Sequence, residues 1–388
     1  MILHNVHIIA EHGTRTINIL NTRIDQIIAS NEFSDPGKSE FTIEFDDAIA
    51  FPGIINSHDH LEFNLFPKLG NRIYKNYMEW GPDIHKQNKD VIAEVKKIPK
   101  QLRAEWGMYK NLLNGITTVV HHGEHVKIED PLIDIFQECY SPHSVRLERY
   151  LKLKLNNPFL KKWPWVIHVG EGTDTSAYEE INELIRWNFL KKDLIAVHGV
   201  AMDINQAKKF KALIWCPDSN LFLLNATARV NELKNELKII FGTDSAVSAS
   251  WSIWDQIRLA KNLNLLSDKE IFDSLTKTPA VVWKLSDKGT LTNGKTADIV
   301  VAKMKDKSNS LNSFFQTNPE DILLVIKNGE IVLFDEVLKS HLTRDIIPEK
   351  FDKVFSNNKG KYIKGRLKNL IDKIKSYSSE INVPVGLE

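Results

Sequence analysis

Cysteine is nearly absent from this 388-residue chain: Cys139 and Cys216 are its two thiols, and they lie far apart. Two distant thiols give no disulfide framework, which argues against a small secreted scaffold and leads us to expect a reducing, cytoplasmic compartment. Charge of one sign is lacking too. Lys and Arg number 51 against 50 Asp and Glu, a net of +1, so no nucleic acid and no membrane surface is expected as a partner. No apolar run approaches the length of a membrane span. The start, Met1-Ile2-Leu3-His4-Asn5, lacks the basic segment and apolar core of a signal peptide. What is present is an ordinary globular composition, 42% hydrophobic and 26% charged, long enough for one large domain and a small one.

Both ends of the chain read as short strands. Ile2 to Ala10 is apolar, Thr16 to Ile28 alternates in patches, and Phe41-Thr42-Ile43-Glu44-Phe45 alternates strictly, with a turn at Asp35-Pro36-Gly37. Late in the chain, Ala297 to Ala302, Ile322 to Lys327 and Ile331 to Phe334 are strand candidates, the last two joined by the hairpin signal Asn328-Gly329. Neither end has enough strands to close a core. The expectation is one small β-sandwich domain built from 1–50 and 289–344. Between them, 51–288 alternates continuous apolar runs with helical stretches, as buried parallel strands do. That pattern favours an α/β fold of the (β/α)8, TIM-barrel type. The stretch from Glu124 to Trp165 is short for two βα units, so one is expected to be abbreviated. From 345 to 388 the chain reads as a helical tail, with Ile363, Leu367, Leu370, Ile371 and Ile374 at helical spacing and Gly365 inside it.

Polar residues recur where the apolar runs of the middle region stop. Phe51-Pro52-Gly53-Ile54-Ile55-Asn56-Ser57-His58-Asp59-His60 ends in two histidines one residue apart, which on a strand share a face. His168 follows Trp165-Val166-Ile167, His198 follows Leu194 to Val197, and Asp244 follows Ile239 to Thr243. A single histidine at a strand end is more often structural. Five such residues would converge at one mouth of a barrel, and imidazoles with a carboxylate suit zinc or iron with a position left open.

With these motifs in hand, the chain resembles the metal-dependent amidohydrolase superfamily, in its chlorohydrolase and aminohydrolase branch of cytosine, guanine and adenosine-type deaminases. The matched stretches also include Asn114-Gly115-Ile116-Thr117-Thr118-Val119, Ile167-His168-Val169-Gly170-Glu171, Ala196-Val197-His198-Gly199, Cys216-Pro217-Asp218-Ser219-Asn220, Phe241-Gly242-Thr243-Asp244-Ser245 and Gly289 to Val300. The resemblance implies that His58, His60, His168 and Asp244 hold one divalent ion, zinc first and iron or manganese as alternatives. It implies His198 beside the atom under attack and Glu171 as a general acid and base. Some members hold two ions bridged by a carboxylated lysine; the alternating segment Tyr150-Leu151-Lys152-Leu153-Lys154-Leu155 offers a lysine but reads as a half-exposed strand.

The implied reaction is hydrolytic deamination of a nitrogen heterocycle with release of ammonia. Cyclic amide or other C–N hydrolysis, dechlorination, and a non-catalytic binding relative stand as alternatives. A small-molecule substrate is expected, and the family's habit of pairing leaves a homodimer open. Candidate substrate contacts are Glu62 and Asn64 in the loop Glu62-Phe63-Asn64-Leu65-Phe66, His122, Asn220 and Trp251. The segments after His60 and Asp244 are where specificity is expected.

Overall fold

The computed structural model describes residues 1–34, 41–342 and 350–387. The turn expected at Asp35-Pro36-Gly37 and the boundary after residue 344 lie outside the described residues. Four strands open the chain: β1 (Ile2–Ile8), β2 (Arg15–Leu20), β3 (Arg23–Ala29) and β4 (Thr42–Pro52). Then come β5 (Ile54–Asp59), β6 (Ile116–His121) and β7 (Asp134–Phe136), which pair in parallel, and β8 (Trp165–Val169), β9 (Leu194–His198), β10 (Ala212–Trp215) and β11 (Lys238–Phe241), also parallel. The chain closes with β12 (Ile299–Lys303), β13 (Ile322–Lys327), β14 (Glu330–Asp335), β15 (Phe351–Ser356), β16 (Lys359–Lys364) and β17 (Gly386–Leu387).

The two chain ends share one ten-stranded sheet, ordered β17-β15-β16-β14-β13-β12-β4-β1-β2-β3. Its joint is β4, which pairs in parallel with β1 and antiparallel with β12. Asn328 and Gly329 both take positive φ, 51° and 76°, and turn β13 into β14 as the hairpin signal requires.

The parallel strands carry near-continuous apolar runs because both of their faces are covered. Ile55, Val120, Val166, Ile195, Val197, Ile214 and Ile240 pack together on one side. The other side meets the helices, including Lys100–Leu113 with Trp106 and Leu112. The abbreviated unit lies where the sequence is short. β7 has three residues, and the next stretch touches β8 through isolated parallel bridges at Tyr140–Trp165 and Ser144–His168. At the far edge, the Thr243 and Asp244 N–H groups both donate to the His58 carbonyl, at 3.1 and 3.0 Å. A Cβ on Gly242 would lie 2.7 Å from the His58 Cβ, so this approach of the β11 end to the β5 end requires glycine.

Two local expectations are corrected. The tail is not helical throughout: β15 and β16 extend the sheet beyond β14, and the helix begins at Leu367. The cause is the dipeptide Asn357-Asn358. Both residues take positive φ, 45° and 62°, and fold the chain into a tight hairpin. Ile363 is therefore a strand residue, and Gly365 (φ 100°) is the break between strand and helix. Leu367, Leu370, Ile371 and Ile374 do form a buried stripe, packed towards Lys100–Leu113, where the Tyr109 hydroxyl accepts the Arg366 N–H at 3.0 Å. The segment Leu151–Leu155 is a short helix, not a strand. Leu151 and Leu155, four apart, are buried, while Lys152 and Lys154 face solvent, far from any role as a bridging lysine.

Candidate metal centre

His58 is next to last in β5, His60 follows that strand, His168 sits in β8, His198 ends β9, and Asp244 follows β11. The carboxyl ends of four parallel strands thus bring all five residues to one place. The Nε2 atom of His168 lies 3.2 Å from that of His58 and 3.3 Å from that of His60. Asp244 Oδ1 stands 3.7 Å from both His58 Nε2 and His60 Nε2.

These nitrogens are poor hydrogen-bond partners for one another. The His168 Nδ1–H donates to the His143 carbonyl at 2.5 Å, which leaves a lone pair on Nε2. Burial and the neighbouring imidazoles push the pKa values of His58 and His168 well below the usual histidine value, so both rings are neutral. Three imidazole nitrogens and a carboxylate oxygen that converge on one point suit a cation. Tetrahedral zinc with Zn–N bonds of about 2.05 Å sets its nitrogen ligands ~3.3 Å apart, the spacing found here. The donor set therefore fits a divalent metal ion.

Asp244 is prepared for the same task. Its Oδ2 accepts the hydroxyls of Ser219 (2.7 Å) and Ser248 (2.9 Å), leaving Oδ1 turned to the histidines. Burial opposes its ionisation, yet His198, His60 and the two serines hold its carboxyl below the usual range. Asp244 and His198 both have positive φ, 56° and 68°, a left-handed conformation uncommon for non-glycine residues.

Behind the histidines lies a buried polar network centred on Asp59. Its carboxylate accepts from Lys110 Nζ (3.1 Å), Asn111 Nδ2 (2.8 Å) and Asn64 Nδ2 (2.8 Å). Asn56 ties the strands together: its Oδ1 accepts the His58 and Thr243 N–H groups at 3.3 and 3.0 Å. The strand ends carrying His58, His60 and Asp244 are thereby held as one unit.

On the other side opens a cavity of about 510 Å3, reached by His60, His168, His198, Glu171 and Asp244. Burial, seconded by Asp244 and opposed by His198, pushes the Glu171 carboxyl up to about 7. Its Oε1 lies 3.6 Å from His198 Nε2. His198 donates its Nδ1–H to Asn220 Oδ1 at 2.8 Å, which turns Nε2 towards the cavity.

None of the five candidate substrate contacts lines this cavity. Glu62 turns to Lys100 (3.3 Å), Asn64 braces Asp59, Asn220 orients His198, and Trp251 packs half-buried against the core. His122 is buried against the centre, its ring 4.5 Å from that of His168 and 5.0 Å from that of His58. The polar members of the loop after His60 thus turn away from the cavity, Glu62 to the part-exposed Lys100 and Asn64 to the buried Asp59, while Phe63 and Phe66 reach it. Val247 and Ser248, after Asp244, reach it as well. The sequence pattern does not single out Tyr77, Trp80 and Ile84, which come from the helix Tyr77–Gln87 and line the cavity. The cap at Asn76, whose side chain accepts the Glu79 N–H, marks that helix, but nothing in its sequence says that it faces a cavity.

Residues 162–332 match the amidohydrolase family. Over that stretch the chain is similar to the amidohydrolase family. A 5-methylthioadenosine/S-adenosylhomocysteine deaminase of Caldicellulosiruptor saccharolyticus is 25% identical over 387 aligned residues, spanning 82% of this chain and 88% of the relative. A crystal structure of an adenosine deaminase from Xanthomonas campestris with bound zinc superposes with a TM-score of 0.68 at 16% identity and covers 98% of each chain. The aminofutalosine deaminase of Helicobacter pylori gives 0.61 at 16% identity, covering 85% of this chain and 99% of that one. These likenesses show a shared mixed α/β fold with parallel strands. Within the matched stretch lie His168, Glu171, His198 and Asp244; His58 and His60 precede it.

Proposed function

We propose that this chain is a metal-dependent hydrolase that removes an amino group from a nitrogen-containing heterocycle and releases ammonia. The observation that carries the reading is the meeting of three imidazole nitrogens, the Asp244 carboxylate and the Glu171 carboxyl at the floor of one cavity. The relatives named as deaminases support the same reaction class. His58, His60, His168 and Asp244 would hold the ion, with zinc favoured by the donor set and by the zinc in the Xanthomonas campestris protein. The ion would supply a Lewis acid that makes water acidic near neutral pH.

The chain's own groups do the rest. Glu171 stands where it can take a proton from the attacking water and hand it to the departing nitrogen, and a carboxyl poised near neutrality suits both directions. His198, fixed through Nδ1 by Asn220, directs Nε2 into the cavity, where an N–H on that atom would donate towards the oxygen on which charge develops. In balance, the ring carbon gains a bond to the water oxygen, the C–N bond breaks, the amino group leaves as ammonia with one proton of water, and the other proton stays on the product, on the ring nitrogen of its carbonyl form.

In the same reading, 51–288 is a barrel whose fourth strand position of eight is filled by the irregular stretch around Tyr140–Ser144, and 1–50 with 289–344 forms a small β-domain. Two free, buried cysteines agree with a cytoplasmic protein, and no helix among the described residues is long and apolar enough to cross a membrane. The test is an ammonia-release screen of the zinc-loaded protein over aminated purines, pyrimidines, pterins and triazines, beside metal analysis. About one divalent ion per chain and turnover of at least one ring class are expected. A protein that takes up no metal would sink the reading.

A further inference from the structure

The cavity has a polar floor and an apolar wall. Above the metal-centre residues it is lined by Phe63, Phe66, Leu69, Ile84, Ile92 and Val247, with Trp80 among them. The polar atoms of that wall are already engaged. The Trp80 Nε1–H donates to the Leu69 carbonyl (2.8 Å), the Tyr77 hydroxyl to Glu180 (3.0 Å), and the Ser248 hydroxyl to Asp244 (2.9 Å). His85, Lys96 and His143 are exposed at the rim. Among the described residues, the carboxylates that line the cavity are Glu171 and Asp244, both at the floor where the reaction occurs. Ser245 adds a single hydroxyl.

A ribose diol in a binding site is commonly gripped by a carboxylate. Here its hydroxyls would leave water and meet phenyl, indole and branched aliphatic groups, an exchange that disfavours binding. An alkyl or alkylthio group in the same place would gain from every carbon it buries.

We infer that the substrate is an aminated aromatic nitrogen ring carrying an uncharged, apolar substituent in place of a sugar. The amino carbon sits at the floor beside Glu171 and His198, and the substituent lies along Phe63, Phe66, Ile84 and Val247. This rests on the deaminase reading and narrows it.

The experiment uses the zinc-loaded full chain and one ring, 6-aminopurine, with hydrogen, methyl, propyl, butyl, 2-hydroxyethyl or ribosyl at the same ring nitrogen. The expected result is a kcat/KM that climbs about fourfold per methylene from methyl to propyl, with the hydroxyethyl and ribosyl compounds below propyl. A ribosyl compound turned over as well as the propyl one overturns the inference. A second arm measures calorimetric binding of the same compounds to Glu171→Gln and to the metal-free wild-type protein, and the same order of affinities is expected. In Ile84→Ser and Val247→Ser the gain per methylene should flatten; an unchanged gain in both also overturns it. The arms separate the two failures. No ammonia from any compound, with the binding order intact, removes the deaminase reading and leaves the apolar wall standing. Ammonia released with ribosyl preferred does the reverse.

Discussion

The Asp59–Lys110 pair offers the sharpest test of how the metal centre is held. Asp59 lies in sequence between His58 and His60, and its Oδ2 is 3.1 Å from Lys110 Nζ, with the two side chains 0% and 1% exposed. At an effective dielectric of about 20, unit charges at that distance attract by ~5 kcal/mol, offset by the cost of removing both from water. Breaking such a pair from one side leaves the partner charge buried, and typically costs about 3–5 kcal/mol. Lys110→Met keeps the length of the side chain and removes its charge. The Asp59 carboxylate is then left to the neutral donors Asn111, Asn64 and Asn56. We expect metal-free Lys110→Met to lose about 3–5 kcal/mol in urea unfolding, and its zinc affinity to fall about 10–100-fold as His58 and His60 lose their brace. The double variant Lys110→Met with Asp59→Asn removes both charges and should recover most of the loss, with a coupling energy of at least ~2 kcal/mol. Unfolding midpoints followed by circular dichroism, and zinc titration against a competing chelator, read the two effects. If the single variant lies within about 1 kcal/mol of wild type, the buried pair does not hold the strand ends as argued.

Three further outcomes follow from the same geometry. Glu171→Gln should bind zinc as wild type does but lose about 10²–10⁴ in kcat, read by metal analysis beside ammonia release; an active Gln variant removes Glu171 from proton transfer. Zinc at a hundredfold excess over its dissociation constant should stabilise the wild type by about 2.7 kcal/mol and leave His58→Ala unmoved, as thermal melts with and without the metal would report. Glu180 gives a pH dependence. Burial lifts its carboxyl to about 7, against the opposing Gly170 N–H, Tyr77 hydroxyl and Arg146. A carboxyl raised in the fold favours the neutral form, so its contribution is complete below the unfolded value of about 4.5 and is lost as pH rises through 7. The span corresponds to roughly 3 kcal/mol. Wild-type stability should therefore fall relative to Glu180→Gln between pH 5 and 8, and parallel curves for the two proteins would refute the assignment.

How much of the fold and site is legible in the sequence depends on how rare the informative residues are. A histidine or aspartate that closes an apolar run has few reasons to be there, so the positions of His58, His60, His168, His198 and Asp244 along the chain are enough to gather them into one site. The short stretch before Trp165 likewise foretells the irregular strand. Apolar residues carry no such mark. Ile84 and Ile92 on their helices look like core positions, and only the packing shows that they face an open cavity with Phe63 and Phe66. Short alternations are ambiguous for a related reason. Leu-Lys-Leu-Lys-Leu over 151–155 satisfies a period of two, yet Leu151 and Leu155 also stand one helical turn apart, and Leu153 between them, 71% exposed, shows which period the fold uses. Polar residues near the site mislead in the opposite direction. Glu62 and Asn64 fall just after His60, where substrate contacts are expected, but Lys100 and Asp59 are within reach of their side chains inside the protein. Each charge engages the polar neighbour within its reach, and the phenylalanines beside them are left to line the cavity. Under the proposed function, the loop after His60 would set specificity through the apolar residues that line the cavity, Phe63 and Phe66.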